Sequence, residues 1–375
     1  DDTALLMKHG KAEPAISASL QFFRSLDGMD DKGIFYDPPV VLSDCCRKAG
    51  NLLAKASSHD SVPAGKKTWI VEELIKLALA ENLSEMYDMD NLFLEINSRV
   101  NSTETSVKLI DRQIGNMADS YRQSRYIIAK IDTLRDMEKM EDAQKTADEF
   151  IHIDEVCRHE VEWLQSRNRF DDALRLVNDA IKYAQKESFA GKVRRWMEVR
   201  VHIHEHMGNN ASVISDCRQI FILMNGSMEY YHKLKELVPK QDWKRFLEDM
   251  LDQIKTFVFG GSDIKAGIYA EEKEYGRLFG LIESCSITSR LDMLMHYTLC
   301  FPSGYAPALL EQYKMALESY VANNLGRNHY SYMAQILRMM QKLDGGKEVV
   351  RQLVEKFREQ YKRRRAMMEE LVAFS

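Results

Sequence analysis

Proline and glycine are scarce in this chain. Seven prolines and 18 glycines in 375 residues are too few to punctuate a sandwich or barrel of many short strands. Few segments alternate strictly between apolar and polar residues. None is joined to a second β-branched run by an Asn-Gly or Asp-Gly turn. The short apolar runs Val40-Val41-Leu42 and Phe257-Val258-Phe259 read as helix ends or loops. No run approaches the ~20 apolar residues that span a bilayer, so no membrane partner is expected. The phosphate cradles Gly-x-x-x-x-Gly-Lys-Ser/Thr and Gly-x-Gly-x-x-Gly are missing, as is the Gly-x-Ser-x-Gly elbow of serine hydrolases. The stretch Pro63-Ala64-Gly65-Lys66-Lys67-Thr68 lacks the upstream glycine and strand of a phosphate loop and reads as a linker and N-cap. Six cysteines, at 45, 46, 157, 217, 285 and 300, are scattered through helical patterns. They fit free thiols in a reducing cytoplasm better than a disulfide framework. The chain opens on Asp1-Asp2 without an initiator methionine or a signal-peptide pattern, and is expected to be a piece of something longer.

What remains is abundant and of one kind. The chain is 45% hydrophobic and 29% charged, too apolar for disorder, and its net charge of −5 offers no overall attraction to phosphate backbones. A helical phrase recurs: Lys139-Met140-Glu141-Asp142-Ala143, Arg169-Phe170-Asp171-Asp172-Ala173 and Glu274-Tyr275-Gly276-Arg277-Leu278. With the first apolar residue of each second helix as a marker, the series is Ala143, Ala173, Val213, Phe246, Leu278 and Ala308, at intervals of 30, 40, 33, 32 and 30. Tetratricopeptide repeats recur every ~34 residues as helix–turn–helix units. The clearest unit runs through Trp163, Leu164, Phe170, Ala173, Val177 and Ala180, whose spacing puts the last three on one helix face.

The expected fold is all-α, an α-solenoid of tetratricopeptide-like helical hairpins. Residues 1–135 read as an N-terminal helical region, either degenerate repeats or a separate bundle. The repeats occupy 136–328, and capping helices occupy 329–375. Helices are expected over Ala12–Leu26, Asp44–Ala56 with Ser43 as cap, Thr68–Ala80, Glu85–Val100 and Thr105–Lys130. At the far end they are expected over His329–Lys342 and, after Asp344-Gly345-Gly346, over Lys347–Val372.

Three stretches carry a resemblance. They are Ala308-Leu309-Leu310-Glu311-Gln312-Tyr313-Lys314, then Leu325-Gly326-Arg327-Asn328-His329-Tyr330, then Phe357-Arg358-Glu359-Gln360-Tyr361 running through Arg363-Arg364-Arg365 to Leu371. With Tyr231-His232-Lys233-Leu234-Lys235 and Trp243, they resemble the C-terminal helical-repeat region of bacterial SWIM zinc-finger proteins over roughly residues 140–375. The resemblance implies a zinc module upstream of Asp1 in the parent chain. That module's Cys-x-Cys and Cys-x-His pattern is not met here. Cys45 and Cys46 are adjacent, and Cys157-Arg158-His159 has no Cys-x-Cys before it. No metal ligand is carried over, and no cofactor is expected.

Candidate chemistry is thin. His202 and His206 stand at i and i+4, but His202-Ile203-His204-Glu205-His206 lacks the His-Glu-x-x-His order of a catalytic zinc helix and reads as repeat-helix histidines. Asp88-Met89-Asp90-Asn91 begins like a calcium loop, yet the sixth position is Phe93 and the twelfth Arg99. Between Lys347 and Arg365 there are eight basic and three acidic residues, ending in Lys362, Arg363, Arg364 and Arg365. Such a run suits a helix C-terminus or a contact with phosphate or an acidic partner. The reading that follows is a non-catalytic scaffold that binds a protein or peptide, or another part of its parent. Glu160, Arg167 and Arg195 are the candidate groove positions. The alternative is a nucleic-acid-associated region using the basic run.

Overall fold

A computed structural model of the chain describes residues 11–30, 40–79, 88–117, 120–255 and 261–374. Asp1-Asp2, the expected loop through Gly33 and Pro38-Pro39, and Phe257-Val258-Phe259 lie outside them. Among the described residues there are helices and short helical turns and no strand. The fold is all-α and built from tetratricopeptide-like hairpins. The chain divides into two compact units, Asp1–Ser188 and Phe189–Ser375, a division that falls inside the expected repeat segment.

The first unit holds nine described helices. They are α1 (Ala12–Asp30), α2 (Val40–Ser57), α3 (Ala64–Leu79), α4 (Met89–Val100), α5 (Thr103–Asn116), α6 (Ser120–Asp136), α7 (Met140–Phe150), α8 (Asp154–Ser166) and α9 (Phe170–Lys186). Helix α1 packs on α2, α3 on α4, α5 on α6, α6 on α7 and α8 on α9. The expected apolar face of α3, Ile70, Leu74, Leu77 and Ala78, is buried. Two expectations are corrected here. The stretch Thr105–Lys130 is two helices, since Met117 adopts an extended backbone after α5 and its N–H turns back to Ile114. Ser43 is no cap, because α2 starts three residues earlier at Val40.

The second unit contains α10 (Ala190–His206), α11 (Asn210–Leu223), α12 (Met228–Leu237), α13 (Lys240–Leu251), α14 (Gly261–Glu271), α15 (Tyr275–Ser284), α16 (Ile287–Tyr297), α17 (Ala306–Asn323), α18 (Arg327–Met340), α19 (Gly346–Gln360) and α20 (Arg365–Leu371). The expected face Val350, Leu353, Val354 and Phe357 of α19 is buried. The entry to α19 needs a glycine at Gly346, where a Cβ would stand 1.8 Å from the Met340 carbonyl. The expected final helix Lys347–Val372 is broken. Tyr361 leaves α19 at φ −117°, and Arg364 caps the separate α20.

One backbone turn closes four of the hairpins. The N–H of Lys139 reaches back to the carbonyl of Leu134, Arg169 to Leu164, Asn209 to His204 and Glu274 to Tyr269, at 2.8–2.9 Å. The residue before each, Glu138, Asn168, Gly208 or Lys273, has a left-handed backbone with φ between 57° and 66°. This is the Schellman arrangement that satisfies the last carbonyls of a helix. It also sets the phase of the next helix. The residue four beyond the cap donates its N–H to the cap carbonyl and points inward: Ala143, Ala173, Val213 and Leu278, each at most 1% exposed. The same position after Pro239 is Trp243, and after Tyr305 it is Leu309, both buried. Two sequence markers are therefore corrected, because Phe246 is half-buried and Ala308 exposed. In α9 the buried stripe is Ala173, Val177, Ile181 and Ala184, with Ala180 half-buried at its edge.

A non-glycine residue in the left-handed region costs about 1 kcal/mol or more. Lys273→Gly is expected to raise stability by roughly 1 kcal/mol. Gly208→Ala, with nothing within 4 Å of its Cβ, is expected to lower stability by about as much on conformational grounds alone. Urea unfolding midpoints at matched slopes check both.

Candidate interaction surface

Within each unit, polar side chains join several first helices of hairpins to the next. In the first unit, Arg135 of α6 holds both carboxylate oxygens of Glu160 on α8 at 2.6 and 2.8 Å. In the second, Tyr230 of α12 donates to Glu198 of α10, and Lys233 pairs with Glu205 at 2.6 Å. His232 of α12 meets Glu271 of α14 at 2.9 Å, and Tyr332 of α18 donates to Asp292 of α16. The second helices carry a matching set: Arg277 with Glu248, Gln312 with Glu283, and Lys356 with Glu318. These residues come from different repeats, so no spacing rule reveals them.

The densest of these joints lies between α6 and α8. The guanidinium of Arg135 sits 3.9 Å over the Trp163 ring, while its carboxylate partner Glu160 is only 2% exposed. His159 lies 3.1 Å from Asp132 and 3.5 Å from Glu160. Hydrogen bonding to Asp132, then to Glu160, raises the His159 pKa to about 9 against the opposing effect of burial. His159 is thus a cation at neutral pH and the cluster is a network of alternating charges. Glu160 is corrected from groove contact to buried structural anchor. Arg167 and Arg195 are exposed, and the Arg167 guanidinium stands 5.4 Å from the centre of the Trp163 ring.

A second joint was invisible in the sequence. Glu272, just past α14, accepts from Tyr231 Oη at 2.6 Å and Trp243 Nε1 at 3.0 Å, and pairs with Lys235 at 2.8 Å. Burial works against its charge, but the bonds from Lys235, Tyr231 and Trp243 hold the carboxyl below its ordinary range. Tyr231 and Trp243 rings stand 5.7 Å apart, locking α12 to α13. Both aromatic residues donate to one carboxylate, which explains why they pair.

The remaining sequence candidates are dispersed. His202 pairs with Glu205 and His204 with Asp216, which Arg200 also holds. Among the described residues no group of three His, Cys, Asp or Glu side chains converges to hold a metal. Asp88 precedes α4, and Asp90 is a buried acceptor for Tyr126 at 2.6 Å and for Arg122 at 3.0 Å. Burial pushes the thiols of Cys46 and Cys217 up to about 11 and that of Cys157 up to about 12, far from thiolate reactivity.

The basic run sits on the turn between α19 and α20, and its four members diverge. Arg364 folds inward: its Nη1 donates to the Val321 carbonyl at 2.7 Å and its guanidinium lies 4.1 Å over the Tyr361 ring. Lys362, Arg363 and Arg365 are exposed, and no carboxylate pairs with them among the described residues. The turn therefore presents three cations to solvent, anchored by the fourth.

Two outcomes test the α6–α8 joint. Arg135→Leu leaves buried Glu160 with only His159, 3.5 Å away, as counter-charge and is expected to cost about 3 kcal/mol, against less than about 0.5 for Arg167→Ala. His159 is more basic folded than unfolded. It therefore contributes stability that is complete below its unfolded pKa near 6.5 and lost as pH rises through about 9. Unfolding free energy should fall by on the order of 3 kcal/mol across that window, and His159→Gln should flatten the fall.

No family model matches the chain, and no curated protein matches it. Among solved structures, it is similar to "Human IFIT1 dimer with PPP-AAAA", with 12% identity over 94% of this chain and 88% of that one and a TM-score of 0.23. A "Circular tandem repeat protein with novel repeat topology and enhanced subunit contact surfaces" is 14% identical over 99% of this chain and 89% of that one, with a TM-score of 0.16. A monomeric mutant of IFIT1 with m7Gppp-AAAA is 11% identical over 94% of this chain and 89% of that one, with a TM-score of 0.20. Likenesses this distant carry nothing about ligand or partner to this chain.

Proposed function

We propose that the chain is a non-catalytic helical-repeat scaffold that binds another protein or another part of its own parent chain in a reducing cytoplasm. The observation that carries this reading is the paired sets of side-chain joints from hairpin to hairpin. They engage ionisable groups whose titration is displaced, such as His159 and Glu272, in holding helices together. Groups set aside for chemistry would instead converge on a cleft with open positions. A stack of hairpins has value as a surface, since each repeat adds side chains at a fixed offset from the last. The resemblance to the SWIM C-terminal region supports a scaffold downstream of a zinc module, with the parent's own module as one binding partner. The unpaired cations at Lys362, Arg363 and Arg365 favour a second reading, nucleic-acid association. That reading falls if alanine at 362–365 leaves DNA and RNA affinity unchanged.

In-cell crosslinking of the full chain, followed by binding measured with the purified partner, tests the scaffold. A saturable partner recovered reproducibly and retained after Cys46→Ala and Cys157→Ala is expected. Absence of any reproducible protein partner would overturn it.

A further inference from the structure

Several features of the turn between α19 and α20 point one way. Lys362, Arg363 and Arg365 are exposed without a carboxylate partner among the described residues. The neighbouring cations are engaged: Lys356 with Glu318, Arg327 with Glu369, Arg364 with the Val321 carbonyl and Arg358 with the Leu371 carbonyl. Three cations without an ion pair thus gather within four residues. The turn is held against the end of α17 through Val321, and α20 is held against the start of α18 through Glu369 and Arg327. Between those two anchor points lies Leu325, 66% exposed, and one residue past α20 lies Val372, 68% exposed. Both are large apolar side chains left facing water, on segments that these two contacts tie to the turn and to α20.

Resting on the scaffold reading, we infer that this corner of the second unit binds an acidic segment of a protein, one whose carboxylates meet Lys362, Arg363 and Arg365 and whose apolar residues cover Leu325 and Val372. Charge complementarity selects the acid, and the exposed leucine and valine select an apolar companion to it. Nucleic acid fits the same corner less well. Three cations would give duplex DNA a salt slope of only about −2.7, far short of the six to ten phosphate contacts of a typical binder. Single strands add affinity by stacking bases on aromatic rings. The ring at this turn, Tyr361, is covered by Arg364 at 4.1 Å and neighboured by Phe357 at 6.1 Å. Anchoring Arg364 inward also fixes the backbone of the turn, so binding has only the three exposed side chains left to order.

The test uses the full chain and a short fluorescein-labelled helical peptide with glutamates along one face flanked by leucines. Its controls are the same peptide with glutamine for glutamate, an oligo-dT strand and a DNA duplex. Binding of the glutamate peptide is expected to weaken at least tenfold in the Lys362→Glu, Arg363→Glu, Arg365→Glu triple variant, and about threefold in Leu325→Ser. Lys362→Arg with Arg363→Lys and Arg365→Lys should retain it. Raising salt from ~50 to ~300 mM should weaken it as well. Matched helical circular dichroism and unfolding midpoints show that each variant is folded. Equal binding by the charge-reversed variant overturns the inference. So does tighter binding of oligo-dT or duplex that the reversal abolishes, which would assign the corner to nucleic acid. A crosslinked cellular partner that the triple variant retains overturns this site while leaving the scaffold standing. No partner for either protein overturns both.

Discussion

One backbone hydrogen bond, from an N–H five residues back to a carbonyl, sets the geometry on which the hairpins depend. It closes the turns at Lys139, Arg169, Asn209 and Glu274 with the same left-handed residue before the cap. Because the turn is the same each time, the second helix always begins in the same phase. The fourth residue past the cap then faces the partner helix whatever its size, from Ala143 to Leu278. The turn has no need of glycine. Glu138, Asn168 and Lys273 hold it at some conformational cost, which the packing of the helices on either side offsets.

Stacking needs a second kind of contact. Apolar stripes hold a helix to its hairpin partner, but a stripe of alanine and valine has little directional preference. The side-chain joints supply direction. Arg135 with Glu160, or Glu272 with Tyr231 and Trp243, fits only one register, since a shifted helix would leave a buried charge without its partner. Such pairs are weak evidence of net stabilisation. Their effect is on which arrangement is reached, because the misaligned alternatives each strand a carboxylate.

The same contrast governs the surface. Of the four consecutive basic residues at 362–365, the sequence treats all alike, and a helix running through them would array them around its circumference. The break at Tyr361 turns one inward as an anchor and leaves three outward. A charge run becomes a surface feature only once tertiary contacts have drawn off the charges that the fold itself requires.

Local periodicity was enough for the helical class, the hairpin repeat and the buried faces of α3, α9 and α19, because every amphipathic helix must obey it. The markers slipped at Phe246 and Ala308, although Pro239 and Pro307 mark those two helix starts in the sequence. Nothing in the linear pattern disclosed the joints through Glu160 and Glu272, or the interruptions within Thr105–Lys130 and Lys347–Val372. Those belong to the folded molecule. A salt bridge between residues 25 apart in the chain, or a turn bent toward a carbonyl 43 residues away, depends on distances in space that spacing along the chain does not encode.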